Sequence, residues 1–183
     1  MLIPDRHTIV LEHLTDERVV IMLRDTRDVA VSAAHHWRRD LTTTLHCMAR
    51  GEWPLRHGGG WCKWVRGWQE QWDSITFFVK YTRLSTDPHE RLSTALEYLG
   101  ATEETNLIDV ITRQSITARR AYTEQHGDGL NYGKEFQLQF LRKGVVGDWK
   151  NHFTPEHRRL AEGYFGRMMR ELGYTESERW VNE

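Results

Sequence analysis

Apolar positions along the chain switch between a run that suits a buried strand and stripes that suit helix faces. Val19 to Leu23 is an unbroken run of five apolar residues with charge on both sides, Arg18 before it and Arg24 after. That pattern predicts a buried strand. Asp28 to about Arg39 reads as a helix, with an acidic residue at its start favouring the dipole. Gly51 to Gly60, broken by glycines and Pro54, reads as a loop. Trp61, Trp64, Val65, Trp68 and Trp72 then recur at i, i+3, i+4, i+7 and i+11, which is one helix face and reads as core. Ile75 to Val79 is a second strand candidate, ending at Lys80 and Tyr81. Pro88 to Leu99 predicts an amphipathic helix closed by Gly100, and Glu103 to Thr112 another. Ala118 to Gln139 is polar and contains glycine, so it reads as a long loop with little regular structure. Thr154 as N-cap, Pro155 at the first position and Gly173 as the stop frame a helix from Pro155 to Leu172. Strand, helix, strand, helix in this order predicts a parallel sheet flanked by helices. Two strands are fewer than a doubly wound sheet carries, so the architecture reads as incomplete. With no repeat, low-complexity tract or linker, residues 1–183 read as a single domain.

Composition narrows the function classes. The chain is 39% hydrophobic and 28% charged with eight Trp, a globular composition. Its 25 basic and 26 acidic residues leave a formal net charge of -1, which argues against bulk binding to nucleic acid but permits a local basic pocket. Cys47 and Cys62 make neither a disulfide framework nor a metal-type cluster with histidines, so the expectation is a reducing cytoplasm and no metal. No apolar run approaches the roughly 18 residues of a membrane span, and no secretory signal is visible.

Two segments carry candidate chemistry. In the first, a predicted strand delivers Arg24 from its C-terminal end and a helix carries Ser32 eight residues on. Strand C-termini are where open α/β sheets bind ligands, and an Arg fork with a hydroxyl suits a phosphate. The same residues also fit a surface ion pair and an ordinary helical serine. In the second, Arg142 and Lys143 stand beside Gly144, which lets a ligand approach the backbone. Basic residues next to glycine suit an anion, though they are also common in exposed loops.

The Arg24-to-Ser32 segment, Arg142-Lys143-Gly144 and the run Gly147-Asp148-Trp149-Lys150-Asn151-His152-Phe153-Thr154 together resemble the PAPS-dependent sulfotransferase family, in order and in separation. Gly60-Trp61 and Tyr81-Thr82-Arg83-Leu84 add to the resemblance, which extends from about Val19 to Tyr174. It implies an α/β, P-loop-NTPase-like parallel sheet flanked by helices. It also implies transfer of a sulfuryl group from PAPS (3'-phosphoadenylyl sulfate) to a hydroxyl or amine, releasing PAP, without a metal. Arg24 and Ser32 match the pair that holds the 3'-phosphate, and Arg142, Lys143 and Gly144 match the loop that completes that site. Tyr81 matches a contact to the adenine, and Ser115 falls where relatives place a Ser-Phe pair near the base; Ile116 stands in place of that Phe. Asp148 to Thr154 is expected to position the preceding loop.

Relatives begin with a strand and a Lys-Ser-Gly-Thr-Thr type loop for the phosphosulfate, and Met1 to Val19 contains no such loop. The expectation is therefore an N-terminally truncated sulfotransferase-like domain. His7 lies 17 residues before Arg24, near the place of the family's catalytic base, but Asp5 and Arg6 replace the usual Lys and hydroxyl residue before it. The acceptor is expected to be a small molecule or glycan, met by variable loops at Leu41–Gly60 and Ala118–Gln139. Oligomeric state stays open. A reading of a different class is a non-catalytic PAP-binding or interaction module that kept the 3'-phosphate site.

Overall fold

A computed structural model describes residues 18–52, 59–70, 75–101, 106–126, 141 and 143–182. These fall into two compact units, one of residues up to Lys80 together with Gly147 onwards, the other Tyr81–Val146.

In the first unit, strand β1 (Val19–Leu23) pairs in parallel with β2 (Thr76–Lys80), in the register Val19 to Thr76 through Leu23 to Lys80. Among the described residues this is the whole sheet. Parallel neighbours need a crossover, and helices α1 (Thr26–Trp37), α2 (Leu41–Arg50) and α3 (Trp61–Glu70) occupy that stretch of chain. Helix α8 (Pro155–Glu171) packs against α1 and α2. Thr154 and His157 cap each other's backbone N–H at its start, with Pro155 in the first turn. The core joins Leu23, Val31, Leu45, Met48, Val65, Phe165 and Met169. The tryptophan stripe contributes to the core in part: Trp61 and Val65 are buried, with Trp61 meeting Phe165 edge-on at 5.8 Å, whereas Trp64 and Trp68 are only half-buried. Trp72 lies outside the described residues.

The second unit holds α4 (Tyr81–Thr86), α5 (Pro88–Leu99), α6 (Leu107–Gln114) and α7 (Ile116–His126), each packed on its sequence neighbour. Asp87 caps α5 through the Glu90 N–H, and Gly100 ends it at φ 73°. Among its described residues only Ala95 and Thr123 are buried.

Two loop expectations are corrected. Leu41–Arg50, within the expected acceptor loop, is helical: Asp40 caps Thr43 at 2.7 Å, and Thr44, Leu45, Cys47 and Met48 form a buried stripe. Its threonines, weak helix formers, concealed that stripe. Ile116–His126 is helical as well, started by Ser115, whose Oγ accepts from the Ala118 N–H at 3.2 Å. Helix α1 begins at Thr26 instead of Asp28, because Asp25 supplies the cap.

Candidate functional site

Five consecutive residues, Arg24-Asp25-Thr26-Arg27-Asp28, carry the chain from the C-terminal end of β1 into α1. They contain two Arg–Asp pairs that behave differently. Asp25 caps α1 by accepting from the Arg27 N–H at 3.0 Å, and takes the Arg27 side chain in a fork, Nε at 2.9 Å and Nη2 at 2.7 Å. Arg27 is 4% exposed. Its guanidinium lies over the rings of Trp149 at 4.2 Å and Trp180 at 4.6 Å, and donates to the Tyr174 carbonyl at 3.0 Å. Burial, and then the charge of Asp25, push the Tyr174 hydroxyl well above the usual tyrosine range. This pair is structural.

The outer pair is looser. Arg24 Nη2 stands 4.0 Å from Asp28 Oδ2, and the Arg24 side chain is 22% exposed. Asp28 is itself 1% exposed, so its carboxylate must find donors inside the protein. Two are backbone amides from far along the chain: Oδ2 accepts from Gly147 N–H at 2.7 Å and Oδ1 from Trp149 N–H at 3.0 Å. Gly147 sits at φ 81°, a left-handed conformation that glycine adopts without strain, and leads into the 3-10 turn Asp148–Asn151. In that turn Asn151 donates to Asp148 at 3.1 Å, and His152 Nε2 lies 3.3 Å from the same carboxylate. Ser32 is exposed on α1, one turn beyond Asp28 on the same helix stripe. The strand end thus presents a guanidinium and, along α1, a hydroxyl, with a buried carboxylate between them in sequence. A cavity of about 360 Å³ opens elsewhere on this unit, beside the C-terminal end of α1 and His152, and neither Arg24 nor Ser32 lines it.

In the second unit, Tyr81 donates its hydroxyl to the Gly144 carbonyl at 2.8 Å. Gly144 has φ +63°, and a Cβ there would collide with Ile116 Cδ1 and stand 3.1 Å from the Tyr81 hydroxyl. Tyr81, Gly144 and Ile116 are therefore one contact group. Ser115 is exposed and occupied in capping α7, and Lys143 is exposed. Arg142 and His7 lie outside the described residues.

Asp28 and Arg27 were not among the expected site residues. The available signal was the doubled Arg–Asp pattern before the helix, together with the run Gly147-Asp148-Trp149 that ties back to it.

The sequence profile of the sulfotransferase domain matches residues 10–173. The chain belongs to the sulfotransferase domain family. Among curated relatives, it is 28% identical over 148 residues to sulfotransferase 2A1 of Mus musculus, covering 75% of this chain and 51% of the relative. It is 30% identical over 157 residues to cytosolic sulfotransferase 3 of Arabidopsis thaliana, covering 76% and 49%. The chain spans about half the length of the curated sulfotransferases it matches. The fold matches a crystal structure of mouse sulfotransferase SULT7A1 complexed with PAP, with a TM-score of 0.65 and 22% identity over 84% of this chain and 58% of that one. It also matches retinol dehydratase in complex with androsterone and inactive cofactor PAP, with a TM-score of 0.65 and 19% identity over 83% and 47%. Among the described residues, no helix is long and apolar enough to cross a membrane, and no group of three or more His, Cys, Asp or Glu is placed to hold a metal ion.

Proposed function

We propose that this chain binds PAP and PAPS and serves sulfuryl transfer to a hydroxyl or amine of a small-molecule or glycan acceptor in the cytoplasm. Arg24 and Ser32 hold the 3'-phosphate. Arg142, Lys143 and Gly144 complete the phosphate site, and Tyr81 and Ser115 serve the adenosine. The two units act as one sulfotransferase-like domain, a reading supported by a family match that runs through both. His7 is the candidate base.

The observation that carries the reading is the Arg24 guanidinium, part-exposed at the C-terminal end of a parallel strand and close to a buried carboxylate. An anion of fixed geometry is the ligand such a fork recognises. In the transfer, an acceptor oxygen or nitrogen attacks the sulfur and loses its proton to a base. The sulfur–oxygen bond to the 5'-phosphate breaks, and PAP leaves with that electron pair. The protein's part is to position the donor and to meet charge on the leaving phosphate.

The test is calorimetric titration of the 183-residue chain with PAP and with adenosine 5'-monophosphate, which lacks the 3'-phosphate. PAP is expected to bind at least about tenfold more tightly, since one charged hydrogen bond contributes about 1.5–3 kcal/mol. Arg24→Ala and Arg142→Ala should each erase most of that preference. Equal affinity for the two nucleotides, or binding of neither, overturns the proposal.

A further inference from the structure

We infer that Asp28 is the positioning residue of the phosphate site: it holds Arg24 at the strand end and ties it to the Gly147–Trp149 turn, without touching the nucleotide. The inference rests on the PAP reading and adds to it a residue that sets the site's geometry.

A carboxylate beside a phosphate ligand's arginine is at first sight an obstacle, because it repels the phosphate and competes for the guanidinium. The geometry shows how that competition is limited. Both Asp28 oxygens already accept a backbone N–H, from Gly147 at 2.7 Å and Trp149 at 3.0 Å, and the approach of Arg24 stops at 4.0 Å. The neighbouring Asp25–Arg27 pair shows what happens where the fork closes: contacts of 2.7 and 2.9 Å and an arginine 4% exposed. Two pairs of the same chemistry, three residues apart, therefore adopt two states. The amides of the turn draw on the charge of Asp28, so it steers Arg24 without capturing it. In the helix register Asp28 lies one turn before Ser32, the second proposed phosphate ligand. The same contact explains why Arg24-to-Asp28 and Gly147-to-Trp149 occur together in one chain: the second segment supplies the donors that make the buried acid of the first tolerable.

Asp28→Asn keeps the shape but removes the charge, and its amide NH2 must face one of two N–H donors. If Asp28 works through Arg24, its effect on PAP affinity needs that arginine. The experiment is a double-mutant cycle in the full chain, reading PAP affinity and the ratio of PAP to adenosine 5'-monophosphate affinity. Asp28→Asn alone should weaken PAP about tenfold and shrink the ratio, whereas in the Arg24→Ala background it should change PAP affinity less than about threefold. Losses that multiply independently, or a ratio that Asp28→Asn leaves unchanged, overturn the inference. A wild type that does not distinguish the two nucleotides overturns the PAP reading instead.

Should Asp28→Asn fail to fold, amide resonances decide in its place. PAP at saturation should shift the Gly147 and Trp149 N–H signals of the wild type, and shift them far less in Arg24→Ala. Signals that do not move in the wild type, or that move equally in both, contradict the inference.

Discussion

Replacing Arg24 and Arg27 one at a time with alanine should produce opposite defects, although the two residues are only three positions apart. Arg27 is the buried partner of a buried acid: its side chain is 4% exposed, that of Asp25 9%, and they meet at 2.7 Å. Arg27→Ala leaves the Asp25 carboxylate without its counter-charge, a change that typically costs about 3–5 kcal/mol. It also removes two cation–π contacts, at 4.2 and 4.6 Å, worth about 0.5–2 kcal/mol each. The contributions share one side chain and do not add, so about 3–5 kcal/mol is the expected total. That is a large share of the roughly 5–15 kcal/mol by which domains are stable. Arg24, 22% exposed and 4.0 Å from its acid, should cost about 1 kcal/mol of stability when removed. Its loss should instead weaken PAP by about 10- to 150-fold, the equivalent of 1.5–3 kcal/mol. Urea denaturation followed by tryptophan fluorescence gives the first quantity, and calorimetry on the folded protein the second. Asp25→Asn combined with Arg27→Met, which removes both charges and keeps an N-cap residue, should recover at least half of the lost stability. An Arg27→Ala protein within 1 kcal/mol of wild type, or equal stability losses at the two positions, would refute the assignment of one pair to structure and the other to binding.

Three further outcomes follow from the same structure. Tyr174 has a buried hydroxyl with no hydrogen-bond partner among the described residues and is held above its ordinary value of 10.0, mainly by burial. The stability this contributes is complete below pH 10 and is lost as pH rises further, so Tyr174→Phe should flatten the alkaline fall in melting temperature and leave stability at pH 7 unchanged or higher. Gly144→Ala imposes a left-handed strain of about 1–2 kcal/mol and a clash with Ile116; it should weaken PAP about tenfold, and adding Ile116→Ala should restore part of the loss, read by the same titration. The helix caps Asp40 and Asp87 are held below the ordinary value of 3.8, Asp40 by the Thr43 N–H and Asp87 by hydrogen bonding to Glu90, side chain and then N–H. Their contribution is present above pH 3.8 and lost as pH falls through the lower folded values, so the melting-temperature gap between wild type and Asp40→Ala should close in acid; a gap constant to pH 2 would contradict the cap.

The parts of the fold that were legible in the sequence are those fixed by local chemistry. Val19–Leu23 is a strand as five apolar residues ending in charge suggest, although only Leu23 is buried and Met22 is exposed, and Pro88–Leu99 and the helix from Pro155 are bounded by an N-cap, a proline and a glycine that act over a few residues. Helix α2 was illegible because Thr42, Thr43 and Thr44 lower its propensity while its stability comes from burial of Leu45 and Met48 in the core. Helix α7, with only Thr123 buried, lacks an apolar stripe to announce it. At the candidate site, the placement of Arg24 just after a strand and of Ser32 on a helix was legible in the sequence. Asp28 was not, since its N–H donors lie 119 and 121 residues away and no local pattern names them. Nor could spacing sort Arg24 from Arg27; only burial against Trp149 and Trp180 does so.

The most direct measurement is a crystal structure of the 183-residue chain grown with PAP. The expected result is a 3'-phosphate within hydrogen-bond distance of the Arg24 guanidinium and the Ser32 hydroxyl. PAP seated away from both, with its 3'-phosphate on other groups, would contradict the assignment.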